Sequence, residues 1–163
     1  MTSSLLEELK CLHILKKKEK IMKGYVEHIN IQVSQPEKTI HFLLTALPEW
    51  TIRGEGKIDN WFGKPMHWYH IGDQDSYVAI GSGGEGQVPD WQGNASGIKH
   101  VGIVVERIDD TVEKLMNAGY EIDHWSADHP YRRSVYFIDD NNLEIEFIEY
   151  FTDDCALRND YSQ

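Results

Sequence analysis

Between Tyr25 and Val33 the chain alternates, with Ile29, Ile31 and Val33 on one side and His28, Asn30 and Gln32 on the other. That period of two predicts a half-buried strand. The rhythm then changes, and Ile40, Leu43, Leu44 and Leu47 recur at helical spacing. Ahead of them, Ser34-Gln35-Pro36-Glu37 reads as a helix start: a serine cap, a proline in the first turn and an acid at the positive end of the dipole. Pro48 ends the helix. Three extended runs follow near 49–56, 65–72 and 76–82, separated by glycine, asparagine and aspartate.

The same unit occurs twice. Sliding the chain by 72 residues lays Tyr25–Trp50 on Gly97–Ile122 without a gap. His28 then falls on His100, Ile31 on Ile103, Val33 on Val105, Thr39 on Thr111 and Ala46 on Ala118. Agreement of identities and hydrophobic rhythm in one register points to duplication. The second copy predicts a strand over 98–105 and a helix from Ile108 to Asn117, with Gly119 just past its end. Strands follow near 120–126, 133–138 and 143–150. The expectation is an α+β chain of two tandem βαβββ modules, 25–82 and 97–150, joined by a glycine-rich linker at 83–96. Residues 1–24 are expected to be an N-terminal extension, with Leu5, Leu6, Leu9 and Leu12 at amphipathic spacing. The acidic tail, 151–163, is expected to fray.

Composition narrows the function. A length of 163 residues, 40% hydrophobic and 26% charged, suits one globular domain. No apolar run approaches the ~20 residues that span a bilayer, and no signal-peptide pattern opens the chain. Cys11 and Cys155 lack metal-type spacing and give no disulfide framework, so a cytoplasmic setting is the default. A net charge of −11 argues against nucleic acid, whose binders carry basic stripes; the one basic run, Lys16–Lys20, lies outside the modules. The expected partner is a small molecule.

The polar residues inside the strands carry the chemistry. If the helices cover the Ile29 and Val101 faces, the opposite face presents His28, Asn30 and Gln32 from one module and His100 and Gly102 from the other. On the last strand, Leu143, Ile145 and Phe147 share the helix-facing phase and leave Glu144 and Glu146 on the open side. Two imidazoles and a carboxylate suit a mid-series divalent metal.

Val26-Glu27-His28-Ile29, Ile98-Lys99-His100-Val101 and the closing Asp139-Asp140-Asn141-Asn142-Leu143-Glu144-Ile145-Glu146-Phe147 resemble the vicinal-oxygen-chelate superfamily. That superfamily includes glyoxalase I, the extradiol dioxygenases and the bleomycin-resistance proteins. The resemblance covers about Tyr25 to Tyr150 and implies a cup-shaped mixed sheet with helices on its convex side. It also implies a homodimer, and metal ligands His28, His100 and Glu146, with Glu146 preferred to Glu144. Ala79 stands where glyoxalase I carries a further glutamate, so two histidines and one carboxylate remain, similar to the facial triad of non-haem iron enzymes. The spacing of His129, Tyr136 and Glu146 resembles the extradiol signature, although Asn142 replaces its usual glycine and Ala127 its usual residue before the histidine. By that resemblance His129 is an acid–base or oxygen-stabilising residue and Tyr136 a hydrogen-bond donor to substrate. Arg132 or Arg133 is placed to clamp a carboxylate.

The reading is therefore a metal-dependent enzyme acting on a small molecule with adjacent oxygens, dioxygenase-like, with Fe(II) preferred and Zn, Ni or Mn as other ions. The alternatives are a glyoxalase I-like lyase or isomerase using another divalent metal, and a metal-free small-molecule (antibiotic) binding protein.

Overall fold

A computed structural model describes residues 24–86 and 88–162; residues 1–23, with the leucine-spaced helix expected there, lie outside the described residues. The first module runs β1 (His28–Gln32), α1 (Pro36–Ala46), β2 (Thr51–Trp61), β3 (Lys64–Gly72) and β4 (Tyr77–Gly81). The second runs β5 (His100–Val104), α2 (Ile108–Asn117), β6 (Ile122–Trp125), β7 (Arg132–Ile138) and β8 (Glu144–Tyr150). A short α3 (Cys155–Arg158) follows. Each module is one four-stranded mixed sheet, ordered β1-β4-β3-β2 and β5-β8-β7-β6. In each, the first strand pairs in parallel with the last and every other pairing is antiparallel. The tandem βαβββ expectation holds in both halves.

The two modules share a core. Phe42 of α1 is fully buried, and its ring meets Tyr120, Phe137 and Phe147 of the second module at centroid distances of 4.9, 6.4 and 6.2 Å. Ile71, Val78 and Ile80 close the same core from the first sheet, and Ile108 and Leu115 from α2. Burial of each such side chain is worth about 1.5–3 kcal/mol, so neither module is complete without its neighbour's apolar face.

A polar latch reinforces that join. Buried Asp139, in the turn between β7 and β8, accepts from the hydroxyl of Thr39 on α1. It also accepts from the backbone N–H groups of Asn141 and Leu143, both at 2.8 Å. Burial pushes its pKa up, against the pull of these donors. Asn141 accepts from Ser34 and from the Gln35 N–H, both at 3.1 Å, and donates to the Gln35 carbonyl at 2.7 Å. The expected serine cap is therefore not made: Gln35 holds the N-cap position without a side-chain bond. Ser34 is drawn instead to an amide from the other module, a partner no local pattern reveals. Asn142 replaces a glycine of the resembled motif at φ +64, where asparagine is better tolerated than most residues.

The tail also departs from expectation. Asp154 caps α3 by accepting from the Ala156 N–H at 2.8 Å, and Arg158 stacks on Tyr150 at 4.0 Å. Arg132 donates to the Arg158 carbonyl at 2.6 Å. These contacts fold residues 154–160 against the second sheet instead of leaving them to fray.

Candidate metal centre

Strand register determines which side chains meet. In the second module, parallel pairing sets His100 opposite Glu144 and Gly102 opposite Glu146. Antiparallel pairing then sets Tyr136 opposite Glu146 and His124 opposite Tyr136. His100 lies between the two carboxylates: its Nε2 is 3.3 Å from Glu146 Oε2 and its Nδ1 is 3.6 Å from Glu144 Oε2. Gly102 makes room, since a Cβ there would lie 3.4 Å from Glu146 Oε2 and 3.3 Å from Ile148 Cδ1.

The electrostatics follow from burial. The Glu144 side chain is only 2% exposed, and its Oε1 has no hydrogen-bond partner among the described residues. Burial raises its pKa, and the His100 and His124 rings beside it act in the opposite direction. Tyr136 is held strongly in its protonated form, first by burial and then by its hydrogen bond to Glu146. Tyr136 and Glu146 line a cavity of about 420 Å³ with His129, Arg132 and Tyr161. Inside it His129 is fully engaged: Nε2 contacts the Asp160 carbonyl at 2.9 Å and Nδ1 accepts from the Tyr131 N–H at 3.2 Å. Arg133 points elsewhere, pairing with Asp109 at 2.7 Å and Glu149 at 3.3 Å.

The first module carries different chemistry at equivalent positions. His28 is opposite Tyr77 and stacks on it at 4.6 Å, while its Nδ1 meets Glu27 at 3.1 Å. His70 and Arg53 lie against the same tyrosine at 4.5 and 4.7 Å. Burial lowers the His70 pKa, and the neighbouring His28 and Arg53 lower it further. Ala79, opposite Asn30 as Glu146 is opposite Gly102, supplies no ligand.

Of the expected triad, His100 and Glu146 are brought within 3.3 Å. His28 and His100 line one groove of about 600 Å³ between the edges of β1 and β5, floored by Leu47 and Trp50. Among the described residues, the three ligating side chains within 4.8 Å of one another are Asp123, His124 and Glu144. Asp123 and His124 were not singled out by sequence. A register shift in β6 between Ile122 and His124 sets His124 opposite Tyr136, where an unbroken count of two would pair it with Val135.

No family model matches the chain, and no curated protein matches it closely enough to count as a relative. Solved structures do match in shape. A glyoxylase/bleomycin resistance protein/dioxygenase domain from Frankia sp. EAN1pec superposes with a TM-score of 0.62 at 18% identity, covering 79% of this chain and 99% of that one. A glyoxalase family protein from Bacillus cereus gives 0.64 at 16%, covering 82% and 99%. The chain has the vicinal-oxygen-chelate fold. A third structure with this fold, a mutant of the fosfomycin resistance protein FosX from Listeria monocytogenes, aligns with a TM-score of 0.57 at 17% identity over 80% of this chain and 94% of that one. That FosX is complexed with Mn(II) and 1S,2S-dihydroxypropylphosphonic acid.

The residues present fit a divalent ion. Two ligands on one ion at roughly 2.0–2.2 Å each are about 3 Å apart when adjacent, close to the His100–Glu146 separation. Glu144 lies 3.6 Å from the other ring nitrogen of the same imidazole, on the side where carboxylates behind metal-binding histidines are found.

Proposed function

We propose that this chain is a metal-dependent enzyme acting on a small molecule with adjacent oxygens, dioxygenase-like, with Fe(II) its preferred ion. The observation that carries the reading is the pairing of His100 Nε2 with Glu146 Oε2 at 3.3 Å, beside a protonated tyrosine in an open cavity. His28 is the proposed third ligand: it lines one groove with His100, although among the described residues the ligating atoms of His28, His100 and Glu146 do not meet within 4.8 Å. When bound, the ion supplies a Lewis acid that binds two neighbouring substrate oxygens. Tyr136 keeps its proton and donates a hydrogen bond to a substrate oxygen. Glu144 Oε2 lies 3.6 Å from His100 Nδ1, and Nε2 faces Glu146. Arg132, at the cavity wall, favours a substrate with an anionic group. His129 lines the same cavity, and the acid–base role proposed for it would require release of the Asp160 carbonyl from its Nε2. The homodimer implied by the resemblance is part of this proposal.

A lyase or isomerase using Zn, Ni or Mn is the second reading, favoured by the Mn(II) held by the FosX structure of the same fold. Elemental analysis of protein purified without oxygen or chelators separates the readings. Iron in the wild type, with one equivalent per chain lost in both His28→Ala and Glu146→Gln, supports the assignment. Metal content unchanged in either variant refutes the ligand set, and zinc, nickel or manganese in place of iron moves the reaction to the second reading. Tyr136→Phe should leave the metal in place. Absence of metal even after reconstitution would turn the reading to a binding protein.

A further inference from the structure

The Asp123, His124 and Glu144 side chains form a second constellation on the same sheet, and none of them belongs to the ligand set proposed above. One ligating atom of each lies within 4.8 Å of the others. His124 is held rigidly, its ring stacked between Trp91 at 4.8 Å and Tyr136 at 4.1 Å, nearly parallel to both. Asp123 Oδ2 contacts His124 Nδ1 at 2.7 Å, so these two ligating atoms already lie side by side.

Three charged or polar groups can cluster without an ion, and an Asp–His pair on a strand is by itself an ordinary surface contact. Glu144 distinguishes this cluster. Its side chain is 2% exposed, yet Oε1 makes no hydrogen bond to any described residue, and the other oxygen has only His100 at 3.6 Å. An unpaired buried carboxylate oxygen costs on the order of 1–3 kcal/mol or more, and native structures keep such atoms when something else satisfies them. Set beside an imidazole and a second carboxylate, that oxygen is placed where a cation would satisfy it.

We propose that Asp123, His124 and Glu144 form a second site for a divalent cation of the zinc type, beside the centre at His100 and Glu146. One imidazole nitrogen and carboxylate oxygens match such an ion. Ligands at roughly 2.0–2.2 Å from one ion are about 3–4 Å apart, so closure from the present spacing needs shifts below an ångström. Trp91, from the segment joining the modules, covers the ligand ring and ties occupancy of the site to the position of that segment.

The test is equilibrium dialysis of the full-length, chelator-stripped protein against zinc, with bound metal counted per chain. The wild type should bind two equivalents. His124→Phe, which keeps the ring stack and removes the nitrogen, should lose one and keep the other, as should Asp123→Asn with at least a tenfold weaker second equivalent. Glu146→Gln should also retain one equivalent, lost on adding His124→Phe. Two equivalents in His124→Phe would overturn the second site. One equivalent in the wild type, lost in Glu146→Gln and kept in His124→Phe, would also overturn it while leaving the first centre standing. One equivalent lost in His124→Phe and kept in Glu146→Gln would support the second site and remove the first.

Discussion

The two modules share strand order and register but carry unlike side chains on their open faces. Where the second has Glu144, Glu146, Tyr136 and His124, the first has Tyr77, Ala79, His70 and Gly54 at the same cross-strand positions. One histidine, His28 or His100, is common to both. In the second module it lies between two carboxylates; in the first it joins a second histidine, an arginine and a tyrosine. The backbone thus fixes where a ligand can be, and the side chains decide whether the face suits a cation. Under the proposed ligand set the first module would contribute a single ligand, His28, to a centre built by the second.

The largest expected effect tests whether the modules are one folding unit. Phe42→Ala removes a ring shared by both cores and should cost about 3–5 kcal/mol, with tryptophan fluorescence and circular dichroism following a single urea transition. Two separated transitions would break the single-core description.

Next comes the matched pair Gly102→Ala and Asn30→Ala, at equivalent positions of β5 and β1. The new methyl at 102 would meet Ile148 Cδ1 at 3.3 Å and touch the Glu146 carboxylate at 3.4 Å, and should weaken metal affinity about tenfold by calorimetric titration. Asn30→Ala should leave that affinity within about twofold, because Ala79 opposite it offers no ligand. Equal effects in both would mean that the faces do not differ as described.

A smaller effect concerns the latch between modules. Burial holds the Asp139 pKa above aspartate's ordinary 3.8, so on raising the pH the unfolded chain releases this proton first. The contribution of Asp139 to stability therefore falls as pH climbs from that value through the folded-state pKa. Subtracting the stability of Asp139→Asn from that of the wild type across this window should give a declining difference; a rising one would reverse the sign. The smallest effect lies in the longer hairpin of the first module. Phe62 and Gly63 turn β2 into β3 with φ of +49 and +91, a conformation that favours asparagine over phenylalanine. Phe62→Asn should raise stability by roughly 0.5–1 kcal/mol, read as a higher melting temperature.

Much of this was legible in the residues. The 72-residue repeat predicted both strand–helix–strand openings, and the phase of two along the last strand put Glu144 and Glu146 on the open face with His100. Ala79 was recognised as a missing ligand. Other features depended on distant partners: Ser34 was read as a cap because a local motif cannot show Asn141 arriving from 107 residues away. The tail looked like a fraying end because the surfaces holding it, Tyr150, Arg132 and His129, belong to other strands and their flanking loop.

The sequence by itself determined the duplicated unit, the alternation that buries one face of each strand, and the side chains offered on the other. Those follow from local periodicity and from the separation of apolar groups from water, which act on neighbours along the chain. Tertiary structure alone decided that Glu144 is buried with one oxygen unpaired among the described residues, that His124 is clamped between Trp91 and Tyr136, and that His129 is occupied by the tail. Each depends on the register of a bulged strand or the path of a loop, and those are set by the summed packing of the whole domain rather than by any short stretch of residues.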